Sequence, residues 1–368
     1  MFNMNVSPRG RGSSFNPPNR FERIDYEPDP EASEEERSAP ATRFYRDTSR
    51  SIISTNDSPD IPYEASLNPY RGCEVGCPFC YARPTHEYLG LSAGLDWETH
   101  IMVKEDAPEL LRTELSSKRW RPKVIALSGV TDPYQPGEAR FRITRRCLEV
   151  LAEFRNPVSV ITKRKLIVRD ADVLGELAKH RAAVAHLSLP TLDPELSRKL
   201  EPRASTPRDR LAAMGTLAKA GVPVGVMVAP VIPGLNDHEI PAILEAAADA
   251  GATWAGIELL RLPYGVKEIF ERWLAEHYPA RHDKVIHQIR STRGGCLNDS
   301  RFGSRMRGEG KLADDIHQLF KLARRRLALD GSGHELSAAA FRRPQGAQPR
   351  VGAAEPRVGA AQPELFAA

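Results

Sequence analysis

The stretch Asn68-Pro-Tyr-Arg-Gly-Cys-Glu-Val-Gly-Cys-Pro-Phe-Cys-Tyr-Ala-Arg83 decides how this chain is read. Its cysteines, Cys73, Cys77 and Cys80, follow a CxxxCxxC spacing that offers three thiolates to a cubane iron–sulfur cluster. Such clusters normally take four cysteine ligands, so a three-thiolate loop leaves one iron open to an exchangeable ligand. Gly72 and Gly76 suit a loop that must turn sharply and bring backbone N–H groups close to a cluster. A Cys3His zinc site completed by His86 is the competing reading, but zinc signatures arrive as paired CxxC or HxxxH elements and the sequence has no second pair. Disulfides are not expected, because the cysteine total of five is odd and no apolar secretory segment precedes the loop.

On both sides of the loop, short apolar runs alternate with amphipathic stretches. Residues 124–127, 158–162, 184–189, 222–229 and 254–259 are β-rich and too short to stand as helices. Between them, residues 144–154, 170–179, 206–220 and 237–250 read as helices, with Thr or Asp at the N-caps and Gly221 and Gly251 just after two C-termini. A further strand at residues 63–67, directly before the cysteine loop, makes six βα units. Near-continuous apolar strands separated by amphipathic helices argue for a parallel sheet covered on both faces or closed into a barrel. Chemistry in such barrels gathers at the C-terminal ends of the strands, which here carry the polar segments 128–138, Thr162-Lys163-Arg164, 187–190 and 229–234.

The cysteine loop and these strand ends resemble the radical S-adenosylmethionine (radical SAM) superfamily, and within it the spore photoproduct lyase branch and the uncharacterised bacterial proteins described as photolyase-related. The resemblance implies an α/β fold, a partial (β/α)6 TIM barrel. It also implies a [4Fe-4S] cluster on Cys73, Cys77 and Cys80 with S-adenosyl-L-methionine (SAM) on the open iron. Reduced by an external flavodoxin- or ferredoxin-type donor, such a cluster cleaves SAM to a 5′-deoxyadenosyl radical that takes hydrogen from a substrate. Matched position by position, Thr131, Asp132, Lys163 and Ser188 seat the cofactor, and Arg203 in Glu201-Pro-Arg203 reaches its carboxylate. The lyase branch returns hydrogen through a cysteine three residues before the strand-two Asp, relayed by a tyrosine on each side of the last cluster cysteine. Here those positions hold Gly129, Phe79 and Tyr81, so Tyr81 alone remains as a relay and thymine-dimer reversal does not carry over.

Two cysteines lie outside the loop. Cys147 falls on the apolar face of a helical stretch and reads as a small core residue. Cys296, in Arg293-Gly-Gly-Cys-Leu-Asn298, sits in a segment able to close over the barrel mouth; it is either an inert thiol or a hydrogen-atom donor.

With 368 residues and 41% hydrophobic content the chain can bury a sizeable core. No run approaches the roughly 18 apolar residues of a membrane helix, so a cytoplasmic protein is expected. Residues 1–57 and 334–368 are poor in aliphatic residues and are expected to be disordered, leaving a barrel over 58–275 and a basic C-terminal extension over 276–333. Residues 281–326 carry twelve Lys/Arg against five Asp/Glu, net +7, in a chain whose net charge is +4. That excess, with Phe302 able to stack on a base, makes nucleic acid the expected partner. Near the end of the sequence, Gln362-Pro-Glu-Leu-Phe366 resembles the short peptides by which bacterial repair and replication proteins hold the DNA sliding clamp; Gln362, Leu365 and Phe366 are its contacts. The expectation is a radical SAM enzyme of DNA-repair type. Its alternatives are a non-catalytic iron–sulfur redox sensor or binding module, or a radical SAM enzyme acting on a small molecule or a protein.

Overall fold

The computed structural model describes residues 8–23, 40–331 and 335–344. Its strands are β1 (Arg43–Arg46), β2 (Ile53–Thr55), β3 (Ala65–Leu67), β4 (Tyr70–Arg71), β5 (His100–Val103), β6 (Ile125–Leu127), β7 (Val158–Thr162), β8 (Ala183–Ser188), β9 (Val224–Val231) and β10 (Trp254–Leu259). The main sheet runs β10-β9-β8-β7-β6-β3-β2. Within it β3, β6, β7, β8, β9 and β10 are parallel neighbours in that order, and β2 lies antiparallel on the outer edge of β3. This is the expected partial barrel of six βα units, left open because β10 and β2 are the outer strands. All six residues of β8 are buried, as a central parallel strand covered on both faces requires. Parallel register brings the C-terminal ends together: Thr162 pairs with Leu187, and Ser188 with Met227.

The helices Ile143–Phe154, Ala171–Ala178, Pro207–Lys219 and Ile240–Asp249 connect these strands. Thr206 caps the third by accepting from the Asp209 N–H at 3.2 Å, and Gly221 and Gly251 follow two C-termini with φ of +76° and +93°. Cys147 lies fully buried in the core between helices and sheet. A second core at the C-terminal end gathers Val75 and Phe79 of the cysteine loop and Trp97 of the short helix Leu95–Thr99 with Phe270 and Trp273 of the helix Val266–His277. Trp273 donates its indole N–H to the Lys199 carbonyl at 3.0 Å, so its burial, contributing about 2–3 kcal/mol, leaves no orphaned donor.

The structure corrects the expectation of disordered tails wherever it describes them. Residues 40–57 include β1, which pairs with β5 in a small sheet of order β1-β5-β4, and β2. Residues 8–23 form a strap over the cysteine loop, where Gly12 N and Ser13 N each donate to the Glu98 carboxylate at 3.0 Å and the Arg11 guanidinium donates to the Glu98 carbonyl at 2.7 Å. Composition missed the strap because it is held by polar bonds to a buried carboxylate rather than by apolar burial. Residues 335–344 return to the barrel, where Phe341 packs near Phe154 and the Arg342 N–H donates to the Phe154 carbonyl at 2.9 Å. The clamp-like peptide, Gln362, Leu365 and Phe366, lies outside the described residues.

The basic region is part of the barrel wall. Its last helix, Lys311–Arg326, sends Ala313, Ile316 and Phe320 into the main core, against β10 and the helix Ile240–Asp249. Among the described residues no helix is long and apolar enough to cross a membrane.

Candidate active site

Cys73, Cys77 and Cys80 line one cavity at the C-terminal end of the sheet, with Tyr81, Thr131, Asp132, Lys163 and Ser188. The loop that carries the thiols is built from backbone bonds. Gly72 and Gly76 adopt φ of +78° and +73°, Cys73 N donates to the Trp97 carbonyl at 2.9 Å, and Cys80 N donates to the Cys77 carbonyl at 3.2 Å. Arg83, fully buried, donates to the carbonyls of Cys77, Ala93 and Gly94 and pairs with Glu98. On the other flank, Glu74 N donates to Gln135 Oε1 at 2.9 Å, and Gly137 N donates to Glu74 Oε2 at 2.6 Å. Burial pushes the pKa of all three thiols up, and for Cys77 Lys163 only partly offsets it. Three thiols pointed into one cavity and held neutral by burial fit a group that brings its own positive charge, as cluster irons do. His86, buried against Trp97, does not line the cavity, so the structure assembles no Cys3His set there.

The strand ends supply the opposite wall. Lys163 Nζ donates to Ser188 Oγ at 2.8 Å and pairs with Glu201 Oε1 at 2.8 Å; Ser188 in turn donates to the Ala229 carbonyl at 2.9 Å. Burial opposes the Lys163 charge, but Glu201 and Cys77 outweigh it and raise the pKa, so the ammonium is retained. Burial likewise opposes the Glu201 charge, but Arg210 at 2.5 Å and Lys163 hold its pKa below the ordinary carboxylate range. Tyr81 donates its hydroxyl to the Gly129 carbonyl at 2.7 Å, and the Arg261 guanidinium lies 4.3 Å over its ring.

Of three further expected site residues, one lines the cavity and two do not. Asp132 lines the cavity with both carboxylate oxygens engaged: Oδ1 accepts from Thr162 Oγ1 at 2.6 Å and Tyr134 N at 2.8 Å, and Oδ2 accepts from Lys163 N at 2.8 Å. It clips the loop after β6 to the end of β7. Arg203 is not among the cavity residues; it pairs with Glu74 at 3.2 Å and donates to Thr42 Oγ1 at 3.3 Å, tying the cysteine loop to the chain before β1. Glu201, which follows the helix Pro194–Leu200, faces Lys163 in its place. Cys296 is exposed on a turn opened by Gly294 and Gly295, both with positive φ, and does not line the cavity.

Sequence reasoning missed Glu258 and Arg261, which line the cavity from the end of β10 and pair at 2.6 Å. The signal was there in period two: Trp254, Gly256 and Glu258 share one face of β10.

Residues 67–247, just under half of the chain, match the family model described as the Radical SAM superfamily. An uncharacterized protein of Mycobacterium tuberculosis is 38% identical over 221 residues, 60% of this chain and 65% of that protein, so the chain spans slightly under two thirds of that relative's length. A protein of Pseudomonas phage M6 named radical SAM Nalpha-GlyT isomerase is 26% identical over 238 residues, 61% of this chain and 47% of that one. Among solved structures, spore photoproduct lyase complexed with dinucleoside spore photoproduct aligns with a TM-score of 0.56 at 15% identity, covering 80% of this chain and 81% of that one. At that identity the likeness is one of fold.

Proposed function

We propose that the protein is a radical SAM enzyme that holds a [4Fe-4S] cluster on Cys73, Cys77 and Cys80 and acts on nucleic acid, in a DNA-repair-like reaction in the cytoplasm. The observation that carries this reading is the single cavity shared by the three thiols, Lys163 and Ser188. When bound, the reduced cluster and SAM supply radical chemistry that no side chain can. The chain's part is to bind and to place. Lys163, kept charged by Glu201, offers a cation to the cofactor's carboxylate, and the hydroxyls of Ser188 and Thr131 orient its polar groups. Tyr81 stands at the cavity wall as the candidate hydrogen relay, oriented by Gly129 and Arg261. Two fold neighbours support a nucleic-acid substrate through what they hold, a dinucleoside spore photoproduct, in one case with bound AdoMet.

The test is anaerobic. Reconstituted, reduced protein is expected to convert SAM to methionine and 5′-deoxyadenosine, and deuterium is expected to move from labelled DNA into 5′-deoxyadenosine. A full complement of iron without SAM cleavage would leave an iron–sulfur binding module. Cleavage with no label transfer from any DNA or RNA would remove the nucleic-acid substrate.

A further inference from the structure

A continuous ribbon of rings joins three segments at the cysteine-loop end of the barrel. Tyr88 stacks on Phe21 with ring centroids 4.9 Å apart, and the Arg20 guanidinium lies 4.9 Å over Phe21 and 3.7 Å over Tyr264. Phe21 and Arg20 belong to the strap, Tyr88 to the 3-10 helix Arg83–Leu89 that follows the last loop cysteine, and Tyr264 to the loop after β10. Tyr264 comes three residues after Arg261 of the cavity wall, within roughly 11 Å of chain reach.

Rings that only pinned the strap in place would be covered by it. Tyr88, Phe21 and Tyr264 instead stay 72%, 55% and 60% exposed, and contiguous apolar faces left in water mark contact surfaces. Tyr264 also holds φ of +50°, a left-handed conformation that strains a bulky residue and persists only where its surroundings impose it. The chemistry on offer is stacking rather than charge. Arg20 is already paired through Nε with the buried carboxylate of Glu87 at 2.5 Å, so its planar face, not a free cation, completes the ribbon. Flat unpaired bases are the partner such a surface fits.

The basic region first suggested for nucleic acid is less available. Arg301 pairs with Asp299 at 3.0 Å and Glu309 at 2.8 Å, Arg305 with Asp60 at 2.6 Å, and Lys311 with Asp315 at 2.9 Å. Resting on the nucleic-acid reading above, we propose that Tyr88, Phe21, Arg20 and Tyr264 form a stacking platform for unpaired bases of a DNA strand whose reacting nucleotide enters the cavity.

The experiment is a fluorescence-anisotropy titration of full-length reconstituted protein with a fluorescein-labelled single-stranded DNA oligonucleotide, repeated with its RNA counterpart and over a salt series. Tyr88→Ala and Tyr264→Gly, the latter suited to the left-handed backbone, are each expected to weaken DNA binding roughly tenfold, the scale of one base–ring contact, with the salt slope unchanged. Tyr88→Trp is expected to keep the affinity. Arg324→Ala with Arg325→Ala and Arg326→Ala is the comparison, and thermal melting of each variant shows that it is folded. Wild-type binding retained by both ring variants would overturn the platform while leaving the nucleic-acid reading intact. Failure of the wild type to bind any oligonucleotide would sink that reading itself. Tighter binding of RNA, or ring variants that lose reduction by a flavodoxin while still binding DNA, would overturn the platform in favour of the other occupant.

Discussion

Arg83–Glu98 beneath the cysteine loop and Arg210–Glu201 beneath the strand ends are both fully buried ion pairs, yet they do different work. The first is closed. Arg83 is engaged with three carbonyls and Glu98 with two strap N–H groups, so neither side chain lines the cavity, and the Arg83 charge acts there through space on the Cys80 thiol, partly offsetting the effect of its burial. The second passes its charge on: one Glu201 oxygen meets Arg210, the other meets Lys163, and Lys163 lines the cavity. A buried charge that ends in backbone shapes a loop, whereas one that ends in a side chain at a cavity wall tunes a site.

Removing one partner of the closed pair should have the largest effect. Arg83→Met leaves the buried Glu98 carboxylate without its cationic partner, and is expected to lower unfolding free energy by about 3–5 kcal/mol in urea titration, with loss of iron binding. A cost like that of an exposed pair, under about 1 kcal/mol, would erase the distinction between the pairs. Glu201→Gln tests the open pair through function as well as stability. SAM affinity should fall roughly tenfold by calorimetry, on the scale of one charge-assisted hydrogen bond of about 1.5 kcal/mol, because Lys163 loses the carboxylate that holds its charge. Unaltered SAM affinity in a folded variant would reduce Glu201 to a second closed staple.

A third prediction concerns protons. Burial lowers the pKa of His186 to about 3 and that of His86 to about 4. In the unfolded chain both take up a proton near pH 6.5. Below that pH the unfolded state binds more protons than the native one, so stability is present in full above pH 6.5 and is lost as pH falls through about 4 for His86 and about 3 for His186. The slope approaches about 1.4 kcal/mol per pH unit per group. His186→Gln should flatten this loss in melts between pH 6.5 and 4, and an unchanged slope would remove His186 as a cause. The smallest effect belongs to Arg203→Ala. Its pair with Glu74 is partly solvated, so a cost under about 1 kcal/mol and unaltered SAM binding are expected.

Much of this was legible in the sequence where function and contiguity coincide. The cysteine loop is one uninterrupted motif, and Lys163 and Ser188 follow from strand ends: β7 matches its apolar run, and β8 lies one residue before its own. What stayed hidden depends on direction and distance. Glu201 and Arg203 are two residues apart, yet one pairs with Lys163 at the cavity wall and the other with Glu74 of the cysteine loop; nothing in Glu-Pro-Arg says which. Asp132 had the right place, but its partners Thr162 and Lys163 N were not legible, because they become its neighbours only when β6 and β7 pair. The strap was invisible because a polar segment with backbone partners has no apolar period to read.

The strap has a kinetic consequence. Its bond from Gly12 to Glu98 spans 86 residues, and closing so long a loop costs about 4 kcal/mol of chain entropy. A side chain at Gly12 would meet the Gly76 carbonyl at 1.7 Å, so the strap lies hard against the loop when it is docked. A contact that distant in sequence and held mostly by polar bonds belongs to the low end of local stability, so it frays before the barrel does. The Gly12 and Ser13 amides should therefore exchange with solvent deuterium well ahead of those in β8. How long the cysteine loop survives in air should follow that fraying rate rather than the unfolding rate of the whole protein.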